Sequence, residues 1–179
     1  MSIRPIHLLG SPVLRERAAA IEQVDAEVRT LVQDLFDTMR ADKGVGLAAN
    51  QVGVARRVAV VDTNDGQLPV VLINATVLER EGRAVQEEGC LSIPDVYADV
   101  ARAYRVVVET ATLEGGQVRV EATELRARAI LHEMDHLDGV LFLDHVSPLK
   151  RRLLLNKWHR LRRGKTGLLK EVSAGAVEE

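Results

Sequence analysis

The spacing of hydrophobic and polar positions changes several times along the chain, and each change marks an element. Residues 1–24 hold no sustained period and read as an irregular arm, with Gly10-Ser11-Pro12 marking a turn. Asp25 then stands as a helix N-cap ahead of Val28, Leu31, Val32, Leu35 and Met39, whose spacing predicts one apolar stripe on a helix. The glycine-rich stretch Gly44 to Gly53 ends that helix. Two valine- and isoleucine-rich runs, Arg57 to Asp62 and Val70 to Asn74, read as buried strands. Tyr104 to Thr112 and Gln117 to Glu124, joined by Glu114-Gly115-Gly116, read as a hairpin. A second helix is predicted over Leu125 to Leu137, stopping near Gly139. A third carries Pro148 in its first turn and runs to about Arg163. These elements predict an α+β fold, with mixed or antiparallel strands packed around a central helix and a further helix toward each terminus. Residues 1–164 are expected to form one domain, and 165–179 a frayed or disordered tail.

Composition narrows the class. The chain has 179 residues, 46% of them hydrophobic and 28% charged, an ordinary globular balance for one domain with a real core. A formal net charge of −2 predicts no overall pull toward DNA. The first residues lack the apolar run of a leader peptide, and no run of about 18 apolar residues occurs, so a cytoplasmic protein with no membrane partner is expected. The charge is unevenly spread. From Ser147 to Lys170 there are nine Lys or Arg residues and no Asp or Glu. Leu149, Leu153, Leu154, Trp158 and Leu161 recur there at helical spacing, which predicts one face docked on the domain and basic residues turned outward.

The strongest chemical signal is His132-Glu133-Met134-Asp135-His136. Histidines four apart on a helix share a face and can reach one metal ion, while Glu133 beside the first can serve as general base. A charged helix face with two surface histidines is the bland alternative. A catalytic site needs a third protein ligand. In the longer zinc-protease pattern the last histidine position holds Phe142, and the downstream glutamates Glu171, Glu178 and Glu179 lie in or beyond the basic segment. A peptidase reading weakens accordingly. The lone cysteine, Cys90, is a buried filler, a reactive thiol or a metal ligand, and it becomes the better third donor. One thiolate and two imidazoles suit a borderline divalent ion and leave a coordination position open for catalysis. In Gly44-Val45-Gly46-Leu47-Ala48-Ala49-Asn50-Gln51 neither phosphate-loop spacing fits, but the Gln51 amide can donate to a developing oxyanion.

Taken in order, Gly44 to Gln51, Glu88-Gly89-Cys90-Leu91-Ser92 and His132 to His136 resemble the three motifs of the peptide deformylase family, Gly-x-Gly-x-Ala-Ala-x-Gln, Glu-Gly-Cys-Leu-Ser and His-Glu-x-x-His. Ile93-Pro94, Gly139 and Leu141-Phe142 extend the likeness, which covers at least residues 5 to 150. The resemblance implies a hydrolase that removes the formyl group from the N-terminal formyl-methionine of nascent polypeptides. It implies Cys90, His132 and His136 as metal ligands, Glu133 as acid/base, and Gln51 with the Leu91 N–H as oxyanion donors. Gly46 and Gly89 would offer backbone groups to a substrate lying like an added strand, and Val45 would line the methionine subsite. Fe²⁺ is the implied metal, with Zn²⁺, Ni²⁺ or Co²⁺ able to substitute; ligand chemistry alone does not separate them.

The resemblance also suggests an ion pair between Asp135 and Arg102, and weak ribosome binding through the basic C-terminal helix. Two positions depart from the family pattern. Tyr97 stands where many bacterial members have arginine, and Arg128 where relatives carry an aliphatic residue beside the methionine subsite. The Arg128 stem is expected to pack on substrate with its head in water. A zinc peptidase and a metal-stabilised RNA-binding module are the rival classes, and the second leaves Glu133 and Gln51 without a role.

Overall fold

Asp25 caps the first helix, α1 (Ala26–Ala41), by accepting the Val28 N–H at 2.9 Å. The computed structural model describes residues 2–174. Val28, Leu31, Val32, Leu35 and Met39 are all buried along the predicted stripe. Ahead of α1 the arm is not wholly irregular: Ile6–His7 form β1, and Pro12–Arg15 make a 3₁₀ turn.

After α1 come β2 (Gly46–Ala48), β3 (Val58–Val61) and β4 (Val70–Ile73), an antiparallel sheet in the order β2-β3-β4. The middle strand, Val-Ala-Val-Val, is buried at every position because both of its faces are covered. Val58 and Val60 pack with Leu31, Val32 and Leu35 of α1. Ala59 and Val61 pack with Ala127, Ile130 and Met134 of the later helix α2 (Glu124–Leu137). Period-two alternation thus seats one short sheet between two helices, and α2 becomes the central element.

Next in sequence are β5 (Thr76–Glu81), β6 (Ala84–Cys90) and β7 (Ile93–Arg102), then β8 (Arg105–Ala111) and β9 (Gln117–Thr123). The β8-β9 hairpin matches the sequence reading to within a residue or so, and β5 pairs with β8 to give the order β5-β8-β9. Strands β6 and β7 form a separate antiparallel hairpin. Sequence reading assigned no element between residues 75 and 103. In β7, Val96, Ala98, Val100 and Arg102 turn inward while Asp95, Tyr97, Asp99 and Ala101 turn outward. An arginine at an inward position and a proline at the second disguise the alternation.

The third helix, α3 (Pro148–Leu161), starts at Ser147, whose hydroxyl accepts the Lys150 N–H. Leu154 and Trp158 dock against β7 and the Leu141–Leu143 turn. The predicted docking face is shifted: Leu149 and Leu153 are 61% and 56% exposed, because Leu154 and Trp158, with Leu155 partly buried beside them, meet the domain. The expectation of a frayed tail from 165 on also fails in part. Leu169–Lys170 form β10, which pairs antiparallel with β1 and ties the segment down. Lys170 Nζ donates to both Asp42 carboxylate oxygens at 2.7 Å. The rest of that expected tail, 175–179, lies outside the described residues.

Candidate active site

Three elements converge beside the middle of α2. The β6-β7 turn carries Cys90 and Leu91; the β2 segment and the following 3₁₀ turn carry Val45, Gly46 and Gln51; α2 carries His132, Glu133 and His136. The possible ligand atoms of Cys90, His132 and His136 all lie within 4.8 Å of one another. Cys90 Sγ is 3.3 Å from His136 Nε2, which is 3.2 Å from His132 Nε2. Both histidines are buried, with four-residue spacing on α2 turning both rings to one side. Sulfur and two imidazole nitrogens facing one point form a donor set that fits a borderline divalent metal ion. Among the described residues no other group of His, Cys, Asp or Glu side chains meets this requirement.

The rings are oriented from behind. His132 Nδ1 lies 3.0 Å from Glu88 Oε2, so Nε2 is left for the donor cluster. Glu88 is itself buried and accepts from Arg102 through Nε and Nη2 and from Arg128 Nη1. Burial alone would raise the Glu88 pKa, but the hydrogen bonds from His132 and Arg102 outweigh it and hold this carboxylate well below its ordinary range. Burial would likewise lower His132; its hydrogen bonds with Cys90 and Glu88 prevail, and its pKa lies well above the usual value. His136, lacking such an acceptor, is pushed well below it by burial and by the charge on His132. Arg102 also donates to Asp135 Oδ2 at 2.8 Å, which sits 2.7 Å from His145 Nε2. The suggested Asp135–Arg102 pair is therefore formed.

Glu133 occupies the other side of α2's buried face. Its carboxylate is enclosed, and Oε2 has no partner among the described residues. Desolvation is the main reason that its pKa rises to about 7. The neighbouring strand accommodates it through Gly46, since a Cβ there would sit 2.8 Å from Glu133 Cγ and closer still to Oε1. Gln51 is 1% exposed and its amide orientation is set by its contacts. Oε1 accepts the Ala48 N–H at 2.9 Å, so Nε2 points at Ser92 Oγ (3.2 Å) and Cys90 Sγ (3.5 Å). The Leu91 N–H has no acceptor among the described residues.

These groups open on a cavity of about 430 Å³. Its lining brings together Val45, Gly46, Gln51, Gly89, Cys90, Leu91, His132 and Glu133, and His136 lies just behind. Tyr97 lies across Gly89, where a Cβ would meet its ring at 2.6 Å, and half of it remains exposed at the rim. Arg128 corrects the sequence reading: its head is not in water but buried, bonded to Glu88 and to the Val100 and Ala84 carbonyls. The hairpin supplies acceptors that a view of the helix alone does not show. Sequence reasoning also gave Glu88 no role. Its signal was available in Arg102, which falls at an inward position of β7 and needs a buried counter-charge.

With the geometry in place, comparison with known proteins is specific. The family model of polypeptide deformylase matches residues 3–152. The peptide deformylase of Agrobacterium fabrum is 46% identical over 169 residues, covering 92% of this chain and 99% of that protein. That of Acidobacterium capsulatum is 43% identical over 166 residues, covering 91% and 98%. Among solved structures, the Legionella pneumophila peptide deformylase superposes with a TM-score of 0.83 at 40% identity, covering 92% of this chain and all of that one. A likeness in sequence and backbone that spans nearly the whole of both chains leaves one assignment: the chain belongs to the polypeptide deformylase family.

Proposed function

We propose that Cys90, His132 and His136 hold one divalent ion and that Glu133 is the acid/base for the family's reaction, removal of the N-formyl group from the N-terminal formyl-methionine of nascent polypeptides. The observation that carries this is the convergence of three soft or borderline donor atoms, within 4.8 Å of one another, with an enclosed carboxylate on the same cavity wall. Family membership makes the protein a metal-dependent hydrolase. The ion, when bound, supplies Lewis-acid activation of water and of the formyl carbonyl.

The chain's own residues do the rest. Glu133 takes a proton from the attacking water and delivers it to the departing amine, so formate and a free N-terminus leave. Desolvation favours the protonated Glu133 carboxyl, the form that delivers the proton, and a bound ion's positive charge would favour the carboxylate that takes it. Gln51 Nε2 and the Leu91 N–H donate to the oxygen that gains charge, and losing one such donor typically costs about a hundred- to a thousandfold in rate. Gly46 and Gly89 pair through their backbones with an extended substrate, and Val45 lines the subsite for the methionine side chain. We take Fe²⁺ as the physiological ion, on the family resemblance, with Zn²⁺, Ni²⁺ and Co²⁺ as substitutes. Loading ion-free protein with Co²⁺ tests the ligand assignment: one equivalent with a thiolate-to-cobalt absorption band is expected. Persistence of that band in Cys90→Ser would rule it out.

The partner reading extends to the ribosome, and the activity is placed in the cytoplasm, where nascent chains emerge. No helix among the described residues is long and apolar enough to cross a membrane. On α3, Lys150, Arg152, Lys157 and Arg160 are exposed and lack an acidic partner among the described residues, a surface suited to RNA phosphate. Deleting α3 would strip Leu154 and Trp158 from the core, so charge reversal is the cleaner test. Exchanging these four residues for glutamate should abolish salt-sensitive co-sedimentation with ribosomes and spare hydrolysis of a short formylated peptide. Unchanged co-sedimentation would reject the ribosome reading.

A further inference from the structure

On its α2 side the cavity meets a buried cation that the proposed reaction does not use. Arg128 lines it together with Leu125 and Ala129, yet is only 5% exposed. Its guanidinium reaches across to the β6-β7 hairpin. Nη1 donates to Glu88 Oε1 at 2.7 Å and to the Val100 carbonyl at 2.8 Å, and Nη2 donates to the Ala84 carbonyl at 2.9 Å. Three bonds fix the plane of the group. Nε has no acceptor among the described residues. It is not among the fully enclosed unpartnered atoms either, which are Asp37 Oδ2, Asn50 Oδ1, Glu133 Oε2 and His136 Nδ1. Its N–H is thus unpaired among the described residues and not sealed off, on a side chain that lines the cavity.

The geometry points to Arg128 as a specificity-determining residue: its free N–H gives the subsite for the first side chain a fixed hydrogen-bond donor. The enzyme then accepts N-formyl peptides whose first side chain carries an oxygen acceptor near its end, methionine sulfoxide above all, alongside those that begin with methionine. This rests on reading the cavity as the binding site of a formyl peptide. A thioether is a weak acceptor, whereas a sulfoxide is a strong one on a side chain of nearly the same length. An apolar subsite rejects the sulfoxide, because the polar oxygen is buried without a partner. A guanidinium held in place offsets that loss and needs no rearrangement to donate.

The test compares kcat/KM for formate release from tripeptides that differ only in the first residue: formyl-methionine, formyl-norleucine and formyl-methionine sulfoxide. The full-length, metal-loaded enzyme is used. The sulfoxide peptide is expected within about thirtyfold of the methionine peptide, and Arg128→Met is expected to lower the sulfoxide-to-norleucine ratio at least about tenfold, the range of one hydrogen bond to a charged donor. A larger deficit in the parent enzyme, or an unmoved ratio in folded Arg128→Met, overturns the proposal. If Arg128→Met does not fold, Arg128→Lys is substituted, which keeps the charge but loses the planar fork, and the same ratio must fall. Silence toward all three peptides refutes the reading of the site itself. Turnover of methionine and norleucine with rejection of the sulfoxide refutes Arg128's role alone.

Discussion

Replacing Glu88 by glutamine tests how the site is supported from behind. The carboxylate receives four hydrogen bonds: Arg102 Nε and Arg128 Nη1 at Oε1, and Arg102 Nη2 and His132 Nδ1 at Oε2. Glutamine can offer an oxygen at only one of those positions. With the amide nitrogen at the Oε1 position, two arginine donors face another donor. With it at the Oε2 position, Arg102 Nη2 is opposed, and His132 can keep a bond only by accepting at Nδ1. That tautomer carries its proton on Nε2, the nitrogen turned toward Cys90 and His136, and cannot ligate an ion through it. Either way two buried guanidiniums keep only the Asp135 carboxylate, bonded to Arg102, as a counter-charge. Removing one partner from a buried ion pair costs about 3–5 kcal/mol, and losing the acceptor behind a metal-binding histidine costs about ten- to a hundredfold in affinity. Glu88→Gln is therefore expected to lose stability of that order in urea unfolding of ion-free protein. Zn²⁺ affinity, measured by competition with a chromophoric chelator, should fall by that factor. A variant within about 1 kcal/mol of the parent in stability, with unchanged metal affinity, would refute the reasoning.

Gly46→Ala should keep metal content but lose most activity, since the added Cβ must displace the Glu133 carboxylate; normal turnover in a metal-loaded variant would show that this approach does not matter. In ion-free protein the raised Glu133 pKa stabilises the fold below about pH 4.5, and that contribution is lost as pH rises through about 7. The parent's stability measured against Glu133→Gln reports Glu133 together with its coulombic coupling to His132, whose pKa Glu133 helps to raise. It should fall by about 3 kcal/mol between pH 4.5 and 8.5, and a flat difference would contradict the enclosure of Glu133. Cys90 beside an oxidisable ion should make the iron form lose activity in air faster than the nickel form, with equal decay rates counting against a thiolate ligand.

Much of this site was legible in the sequence because its groups are short-range. The four-residue spacing of His132 and His136 sets their common face wherever α2 packs, and Asp25 with the stripe from Val28 to Met39 defines α1 without reference to the rest of the chain. The β8-β9 hairpin was similarly local. What stayed hidden depends on pairings distant in sequence. Glu88, Arg102 and Arg128 each look like surface charges until β6, β7 and α2 close around them, and then Glu88 is the counter-charge that both arginines share. Strand β7 escaped notice because an inward arginine breaks the apolar-polar alternation, and its function accounts for that break. Leu169–Lys170 become a strand only through β1 at the far end of the chain, and Leu149 and Leu153 stay exposed because the domain surface meets Leu154, Leu155 and Trp158 instead.

In the proposed mechanism an ion held by Cys90, His132 and His136, with Glu133 moving the proton, hydrolyses a formamide. Formate release from a formyl-methionyl peptide measures it directly, in metal-loaded enzyme, in the same enzyme after chelation, and in metal-loaded Glu133→Gln. Turnover in the first sample is expected, with loss on chelation, recovery on adding back a divalent ion, and near-complete loss in the variant despite one bound equivalent of metal. Formate release that survives chelation, or near-normal turnover in metal-loaded Glu133→Gln, would contradict it.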